Sequence, residues 1–221
     1  MRTSSSDQPD THTMVVGHRV FRREFRLLPA LIQAVRAGDG ARARLLAEHG
    51  DDVATALHRH HISEDEVLWP RLLDRAPVHA AVVHRMERQH EQVAEHLQQI
   101  AALLPTWKKD AHLETRDELA NQFASAAVIL DEHLDEEERE ILPLVAEHIT
   151  AAEWSQLGQR AHAGMPHHKL LKLMGMVFED ANTHERAQML AALPGPGRLV
   201  WNLVGRRSYQ KLVRELRGTA A

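Results

Sequence analysis

Apolar residues recur every three or four positions along the first two thirds of the chain, which is the spacing of a helix facing a core. Four such segments are separated by short turn sequences or by proline. They span residues 13–36, about 41–75, 77–105 and 111–149. Pro143 lies inside the fourth segment and predicts a kink or an early end there. Short connections favour antiparallel neighbours, so the pattern predicts an all-α, up-down-up-down four-helix bundle over residues 13–149.

Each predicted helix carries polar residues at positions where the apolar pattern requires a core side chain. These residues are His18, His60, Glu64, His90, His133 and Glu137. A lone histidine in such a position is usually a core residue bonded to a backbone carbonyl. Burying six such groups without partners would cost several kcal/mol, and all four helices repeat the feature. The repetition favours a shared binding site.

One sequence phrase occurs twice, as HHISEDEVLWP at 60–70 and HLDEEEREILP at 133–143. In both copies a glutamate follows a histidine by four residues, so the two side chains share a helix face. Such a pair can give a nitrogen and an oxygen to one metal, or let the glutamate reach a second metal. Two facing pairs would form a dinuclear site with two bridging carboxylates. Nitrogen-rich ligation without thiolates suits iron, with manganese or zinc as alternatives.

The distances of these residues from the predicted turns test whether they share one level. His18 and His60 lie equally far from the first turn, and His90 lies level with the pair formed by His60 and Glu64. Folding about the third connection leaves His133 about 7 Å from that level. Three helices therefore meet at one layer by position, and the fourth joins it only through its repeated motif.

The order of these motifs on successive helices resembles the hemerythrin-like (HHE cation-binding) family over residues 13–148. The resemblance implies a bundle holding an oxo- or hydroxo-bridged di-iron centre that meets dioxygen, peroxide or nitric oxide. It also implies that His18 and His60 are terminal ligands of one iron and His90 and His133 of the other. Glu64 and Glu137 would be the bridges.

The third helix departs from the oxygen-carrying members of that family. Those members have a His-x-x-x-His pair there, and this chain has Met86 four residues before His90. His84 and His96 lie six residues from His90 and are expected to point away to the surface. The vacant ligand place could be filled by His61, by Glu87, or by water or an exogenous ligand. Among the neighbouring acids, Asp65 and Glu138 are candidates for orienting ligand histidines.

Composition and charge limit the partners and the cellular compartment that we expect for the protein. The net charge of −4 offers no global attraction to nucleic acid, and no apolar run is long enough to span a membrane. The chain has no cysteine, which excludes disulfides and is typical of a reducing cytoplasm. Residues 1–12 are polar and are expected to form a disordered tail.

Residues 150–221 are expected to form a helical extension. Thr150 and Glu153 have the spacing of a capping box, and Thr183 is a candidate cap of a later helix. Residues 198–217 contain six Lys or Arg and one Glu. This segment is expected to pack its apolar face on its own domain, with an anionic membrane or a nucleic acid as alternatives. Homodimer formation stays open.

Three functions are compatible with these features. The first is a di-iron protein that scavenges or turns over small molecules, with weak peroxidase or catalase-like activity. The second is a non-enzymatic sensor or binding module that signals through the C-terminal helices. The third is a metal-free helical scaffold, which the six core polar residues disfavour.

Overall fold

A computed structural model describes residues 7–218 of the chain. These residues form helices and their connections, with no strand among them. This confirms the prediction of an all-helical protein. The helices are α1 His12–Gln33, α2 Gly40–Ser63, α3 Trp69–Arg75, α4 Ala80–Asp110, α5 Leu113–Glu136, α6 Leu142–His148, α7 Ala151–His162, α8 His167–Asp180, α9 Thr183–Ala192, α10 Gly195–Val200 and α11 Arg206–Arg217.

The chain divides into two compact units, with the boundary after Ala163. The first unit therefore reaches past Ile149, where the sequence pattern suggested the change. The reason lies in α7, which packs on α2. Arg59 of α2 donates from Nε to the carbonyl of Ala161, 2.9 Å away, and Arg75 donates to the carboxylate of Glu153. These bonds hold α7 in the first unit.

The four longest helices of the first unit contact one another in a closed ring. Helix α1 packs on α5, α5 on α4, α4 on α2, and α2 on α1. Their facing side chains are apolar and buried, and Phe25 of α1 meets Phe123 of α5 with ring centroids 5.5 Å apart. Gly50 of α2 leaves room for the Phe123 ring, because a Cβ there would lie 3.1 Å from it.

Helix α4 does not stop at Pro105, as the sequence pattern had suggested, but continues to Asp110. Proline removes the bond to the carbonyl of Ala101, and Ala101 is exposed, so water can satisfy that carbonyl. Leu104 and Trp107 are buried on the core side, and their burial stabilises the longer helix. The helix ends at Ala111, whose φ of 48° is left-handed.

The longer α4 moves the third connection and removes the mismatch of His133. The connection lies at Ala111 and His112. His90 lies 22 residues before His112 and His133 lies 21 residues after it. Residues equally far from a tight turn between two packed helices lie at the same level. The helix end at Pro105 was therefore the source of the error.

Both copies of the repeated phrase contain a widened helical turn before their proline. The turns cover Glu64–Leu68 and Glu137–Ile141, and each is followed directly by α3 or α6. The amide of Trp69 bonds to the carbonyl of Glu64, and that of Leu142 to Glu137, both five residues back. Pro143 therefore neither ends nor sharply breaks the path, because the wide turn rearranges the bonds that proline cannot make.

Residues before α1 contact the first unit. The amide of Ala151 donates to the carbonyl of Asp7 at 2.9 Å, and Trp154 Nε1 donates to the carbonyl of Asp10 at 3.1 Å. Residues 1–12 were predicted to form a disordered tail, but the structure describes this segment from Asp7 onward and shows it bonded to the first unit. Residues 1–6 lie outside the described part of the chain.

The second unit contains α8 to α11, with a third widened turn at Trp201–Gly205. Its buried apolar residues are Met176, Phe178, Ala181, Trp201, Tyr209 and Leu216. Gly175 allows α8 to approach α11, since a Cβ there would lie 2.3 Å from Tyr209. The cap of α9 is Asn182 rather than Thr183, because the Asn182 side chain accepts from the amides of His184 and Glu185.

None of the helices in residues 7–218 combines the length and the apolar character needed to cross a membrane.

Candidate metal centre

The six residues singled out by the sequence lie together in the first unit. Five of them are buried, and His60 has 12% of its side chain exposed. They come from α1 (His18), α2 (His60), the first widened turn (Glu64), α4 (His90), α5 (His133) and the second widened turn (Glu137). The helical stripes and the two wide turns thus direct six polar groups into one layer of the core.

Each glutamate lies between histidines of two different helices. Glu64 is 3.3 Å from Nε2 of His60 and 3.5 Å from Nε2 of His90. Glu137 is 3.3 Å from Nε2 of His18 and 3.8 Å from Nε2 of His133.

The potential ligand atoms fall into two groups, and the atoms of each group lie within 4.8 Å of one another. One group is His18, His60, Glu64 and Glu137. The other is His61, His90 and His133. His18 and His60 thus fall in one group, and His90 and His133 fall in the other together with His61.

The structure separates the two candidates for the vacant ligand place. His61 is 3% exposed, and its ring stacks on His90 with centroids 4.0 Å apart. Glu87 has 41% of its side chain exposed, and its carboxylate bonds to Nδ1 of His84, 2.7 Å away, outside the cluster. His84 is half exposed, and His96 bonds to Gln122, as expected for histidines that point away from the site. The layer thus includes His61 and leaves Glu87 at the surface.

The residue after Glu64 and the residue after Glu137 each accept a hydrogen bond from a histidine of another helix. Asp65 accepts a hydrogen bond from Nδ1 of His90 at 2.7 Å, and Glu138 accepts one from Nδ1 of His18 at 2.9 Å. This fits the suggestion that these two acids orient ligand histidines. Trp69 Nε1 donates to Asp65 at 2.9 Å, and Arg22 donates to Glu138 at 2.6 Å. The acids are therefore fixed in place themselves.

Two contacting residues escaped the sequence analysis. Gln89 Oε1 accepts from Nδ1 of His133 at 3.0 Å, and Arg22 supports Glu138. Arg22 lies four residues after His18, so helical spacing on α1 could have indicated it. Gln89 is adjacent to His90 and points to a different helix, and no simple spacing rule would have found it.

These outer bonds fix where the histidine protons lie. Asp65 and Gln89 Oε1 accept hydrogen bonds from the Nδ1 atoms that they meet, so the Nε2 atoms of His90 and His133 are the ring nitrogens that a metal could bind. Those two Nε2 atoms are 3.2 Å apart. Nitrogens bound to one metal at about 2.1 Å lie at about this separation from each other. A cation between them would bind both nitrogens.

Several buried atoms of the layer have no hydrogen-bond partner. They are Nε2 of His18, His60 and His61, and both carboxylate oxygens of Glu64 and Glu137. Buried polar atoms without partners are costly, and seven in one layer are a strong sign of a ligand. All seven are donors that divalent cations accept, so the residues fit a pair of metal ions.

Protonation in the layer follows from burial. Burial, reinforced by neighbouring histidines, lowers the pKa of His60, His61 and His133 well below the usual range. These imidazoles are therefore neutral, which is the form that binds metal. Burial, followed by repulsion from Glu137, raises the pKa of Glu64 well above its ordinary value. A bound cation would favour the charged carboxylate of Glu64, which burial and Glu137 disfavour.

Comparison with protein-family models matches residues 10–145 to the hemerythrin HHE cation binding domain. No curated protein and no solved structure matches the chain. The matched segment covers more than half of the 221 residues and includes every residue of the buried layer. The chain therefore belongs to the hemerythrin HHE cation-binding domain family.

Proposed function

We propose that the first unit is an up-down-up-down four-helix bundle that holds two iron ions and binds or reacts with dioxygen, peroxide or nitric oxide. The closed ring of helix contacts and the short connections support the bundle. The observation that carries the metal proposal is the set of seven unpartnered buried donor atoms in one layer. Manganese and zinc accept similar donors, and metal analysis distinguishes them.

The two donor groups suggest how the ligands are divided. His18 and His60 would bind one ion, and His61, His90 and His133 the other. Glu64 and Glu137 each lie near one histidine from both groups and would bridge the ions. His61 takes the place that the oxygen-carrying pattern gives to a second histidine on the third helix.

The division is unequal, and this inequality indicates where a small molecule would bind. The group of His18 and His60 supplies two nitrogens, and the other group supplies three. We therefore place the exchangeable position on the His18–His60 side. His60 is also the most exposed of the six predicted ligands, with 12% of its side chain accessible.

The protein groups around the site set its reactivity. When bound, the iron pair supplies the redox-active position for the small molecule. Two carboxylates offset half of the +4 charge of a di-ferrous pair, and five neutral imidazoles add none. Asp65 and Glu138 hold the Nδ1 protons of His90 and His18 and increase the basicity of these ligands. This donor set favours reversible binding, sensing or peroxide turnover over hydroxylation of strong C–H bonds.

Metal content and absorption of protein purified without chelator test the proposal. We expect about two iron ions per chain, and an absorption band that changes on addition of peroxide or nitric oxide. Protein without bound metal under iron-replete expression would contradict it. Peroxide turnover by the iron-loaded protein then separates a weak peroxidase or catalase from a binding module. A spectral change without turnover would identify the binding module.

A further inference from the structure

The second unit exposes a group of aliphatic side chains on one short stretch. Leu199, Val200, Leu203 and Val204 are between 46% and 60% exposed. Seven large hydrophobic residues are exposed in the described part of the chain, and these four fall within six consecutive positions. The other three are Val78, Leu113 and Val128, which are far apart in the sequence. Scattered exposed apolar residues are ordinary, but a cluster of this kind marks an interaction surface.

The exposed residues are not needed to hold their own helix in place. They follow one another at i, i+1, i+4 and i+5, so they share one side of the helical path from α10 into the widened turn. The other side is anchored by Trp201, whose ring meets Phe178 with centroids 4.9 Å apart, and by Gly205, which is also buried. The helix therefore packs through Trp201 and presents a second apolar side outward.

Arginines flank the exposed residues on both sides. Arg198 precedes them, and Arg206 and Arg207 follow them, all three exposed. Residues 186–214 contain no Asp or Glu. Within residues 7–218, no carboxylate forms an ion pair with any of these three arginines. The local charge is thus positive in a chain whose net charge is −4.

We propose that this apolar–arginine patch, formed by Arg198, Leu199, Val200, Leu203, Val204, Arg206 and Arg207, docks the protein on the surface of a membrane containing anionic lipids. The four aliphatic side chains enter the boundary between headgroups and acyl chains, while the guanidinium groups contact lipid phosphates and carboxylates. The helix lies on the surface and does not span the bilayer.

The composition of the patch distinguishes a membrane from other partners. A nucleic acid would pair its phosphates with the arginines but would leave four aliphatic side chains exposed to water. A second copy bound through the same patch would bring three arginines of one chain against three of the other, and like charges repel. An anionic bilayer matches both the charge and the apolar surface.

Co-sedimentation of the full-length protein with lipid vesicles tests the patch. Vesicles of phosphatidylcholine with about 30% phosphatidylserine are compared with phosphatidylcholine alone. We expect binding to the anionic vesicles that weakens about 25-fold in the double variant Arg206→Gln with Arg207→Gln, about fivefold for each charge. The double variant Leu203→Gln with Val204→Gln should weaken it at least about tenfold.

A matched control places the same substitution on exposed valines outside the patch. Val78→Gln with Val128→Gln should leave vesicle binding unchanged. All these positions are exposed, and circular dichroism verifies that each variant folds. Equal loss in the control and in the Leu203 and Val204 variant would overturn the proposal.

Two further measurements address the rival partners. Binding to a short DNA duplex that depends on the arginines but not on Leu203 and Val204, with no vesicle binding, would overturn the proposal in favour of a nucleic acid. Sedimentation velocity that shows a dimer abolished by the Leu203 and Val204 variant, again without vesicle binding, would overturn it in favour of self-association.

Discussion

His61 stacks on His90, with ring centroids 4.0 Å apart and planes 8° from parallel. The two histidines come from α2 and α4, and both also meet the ring of His133 on α5. Three imidazoles from three helices thus converge on one point. His61 therefore belongs to the buried layer together with the six residues that the apolar pattern indicates.

The contribution of His61 can be separated from that of Glu87. We expect His61→Ala to lower the affinity for one of the two metals by about 10-fold or more, since that ion loses one of its five proposed protein ligands. Glu87→Ala should change neither metal content nor the spectrum, because Glu87 lies at the surface on His84. Titration of metal-free protein with ferrous iron under anaerobic conditions measures both. Unchanged affinity in His61→Ala would remove it from the ligand set.

Substitution of a bridging glutamate should cost more metal than substitution of a terminal histidine. A bridge binds both ions and offsets their mutual repulsion, which is strong in a buried site. Glu64→Ala and Glu137→Ala should therefore each abolish the di-iron absorption and reduce metal content well below two. His18→Ala should keep about one ion, held by the group of His61, His90 and His133.

Surface histidines provide the controls for that series. His84→Ala and His96→Ala remove imidazoles that bond to Glu87 and Gln122 rather than to the layer. Both variants should keep the full metal content. If His84→Ala loses a metal, or if both glutamate variants keep two, the assignment of ligands is wrong even though the fold is right.

Removal of the metal should destabilise the first unit. Seven buried donor atoms then lose their partner, and binding to the folded state alone adds about 4 kcal/mol at a thousandfold excess over the dissociation constant. We expect thermal unfolding of chelated protein at a clearly lower temperature than that of iron-loaded protein. Restoring ferrous iron should recover the difference. Equal melting temperatures after verified metal removal would contradict a buried metal site.

The contact of Glu153 with Arg75 should make stability depend on pH. Hydrogen bonding to Arg75 lowers the pKa of Glu153 from 4.5 to about 2. A depressed carboxyl pKa adds stability that is complete above about pH 4.5 and is lost as the pH falls toward 2. The pair lies near the surface, so after screening we expect Glu153→Gln to cost about 1 kcal/mol at pH 7.

Urea unfolding of metal-free protein measures this effect without interference from metal loss. The difference between wild type and Glu153→Gln should shrink steadily between pH 4.5 and pH 3. Glu95→Gln, at an exposed position of α4, is the matched control and should differ little from wild type at any pH. A difference for Glu153→Gln that stays constant with pH would show that the negative charge of Glu153 does not produce it.

Sequence spacing was sufficient to predict the helices and the histidine–glutamate pairs, because both depend on the regular repeat of a helix. It failed where a local exception decided the outcome. The helix continues through Pro105 because Pro105 and Ala101 are both exposed, so water can satisfy the carbonyl of Ala101. The helix end expected at Pro105 displaced His133 from the layer. Whether His61 or Glu87 joins the site depends on the rotation of α2 and α4 about their axes, which spacing within one helix does not determine.

The two widened turns also place apolar side chains at one end of the layer of histidines and glutamates. Each turn holds one residue more than an α-helical turn, so the side chains after it are rotated by about 100° relative to an uninterrupted helix. In both copies this phase shift leaves a glutamate in the histidine layer while Leu68, Trp69, Ile141 and Val145 lie in one buried apolar cluster. The cluster forms a hydrophobic floor beneath the donors. That end of the layer is thus covered by apolar side chains, whereas His60, with 12% of its side chain exposed, is the member of the layer most accessible to solvent.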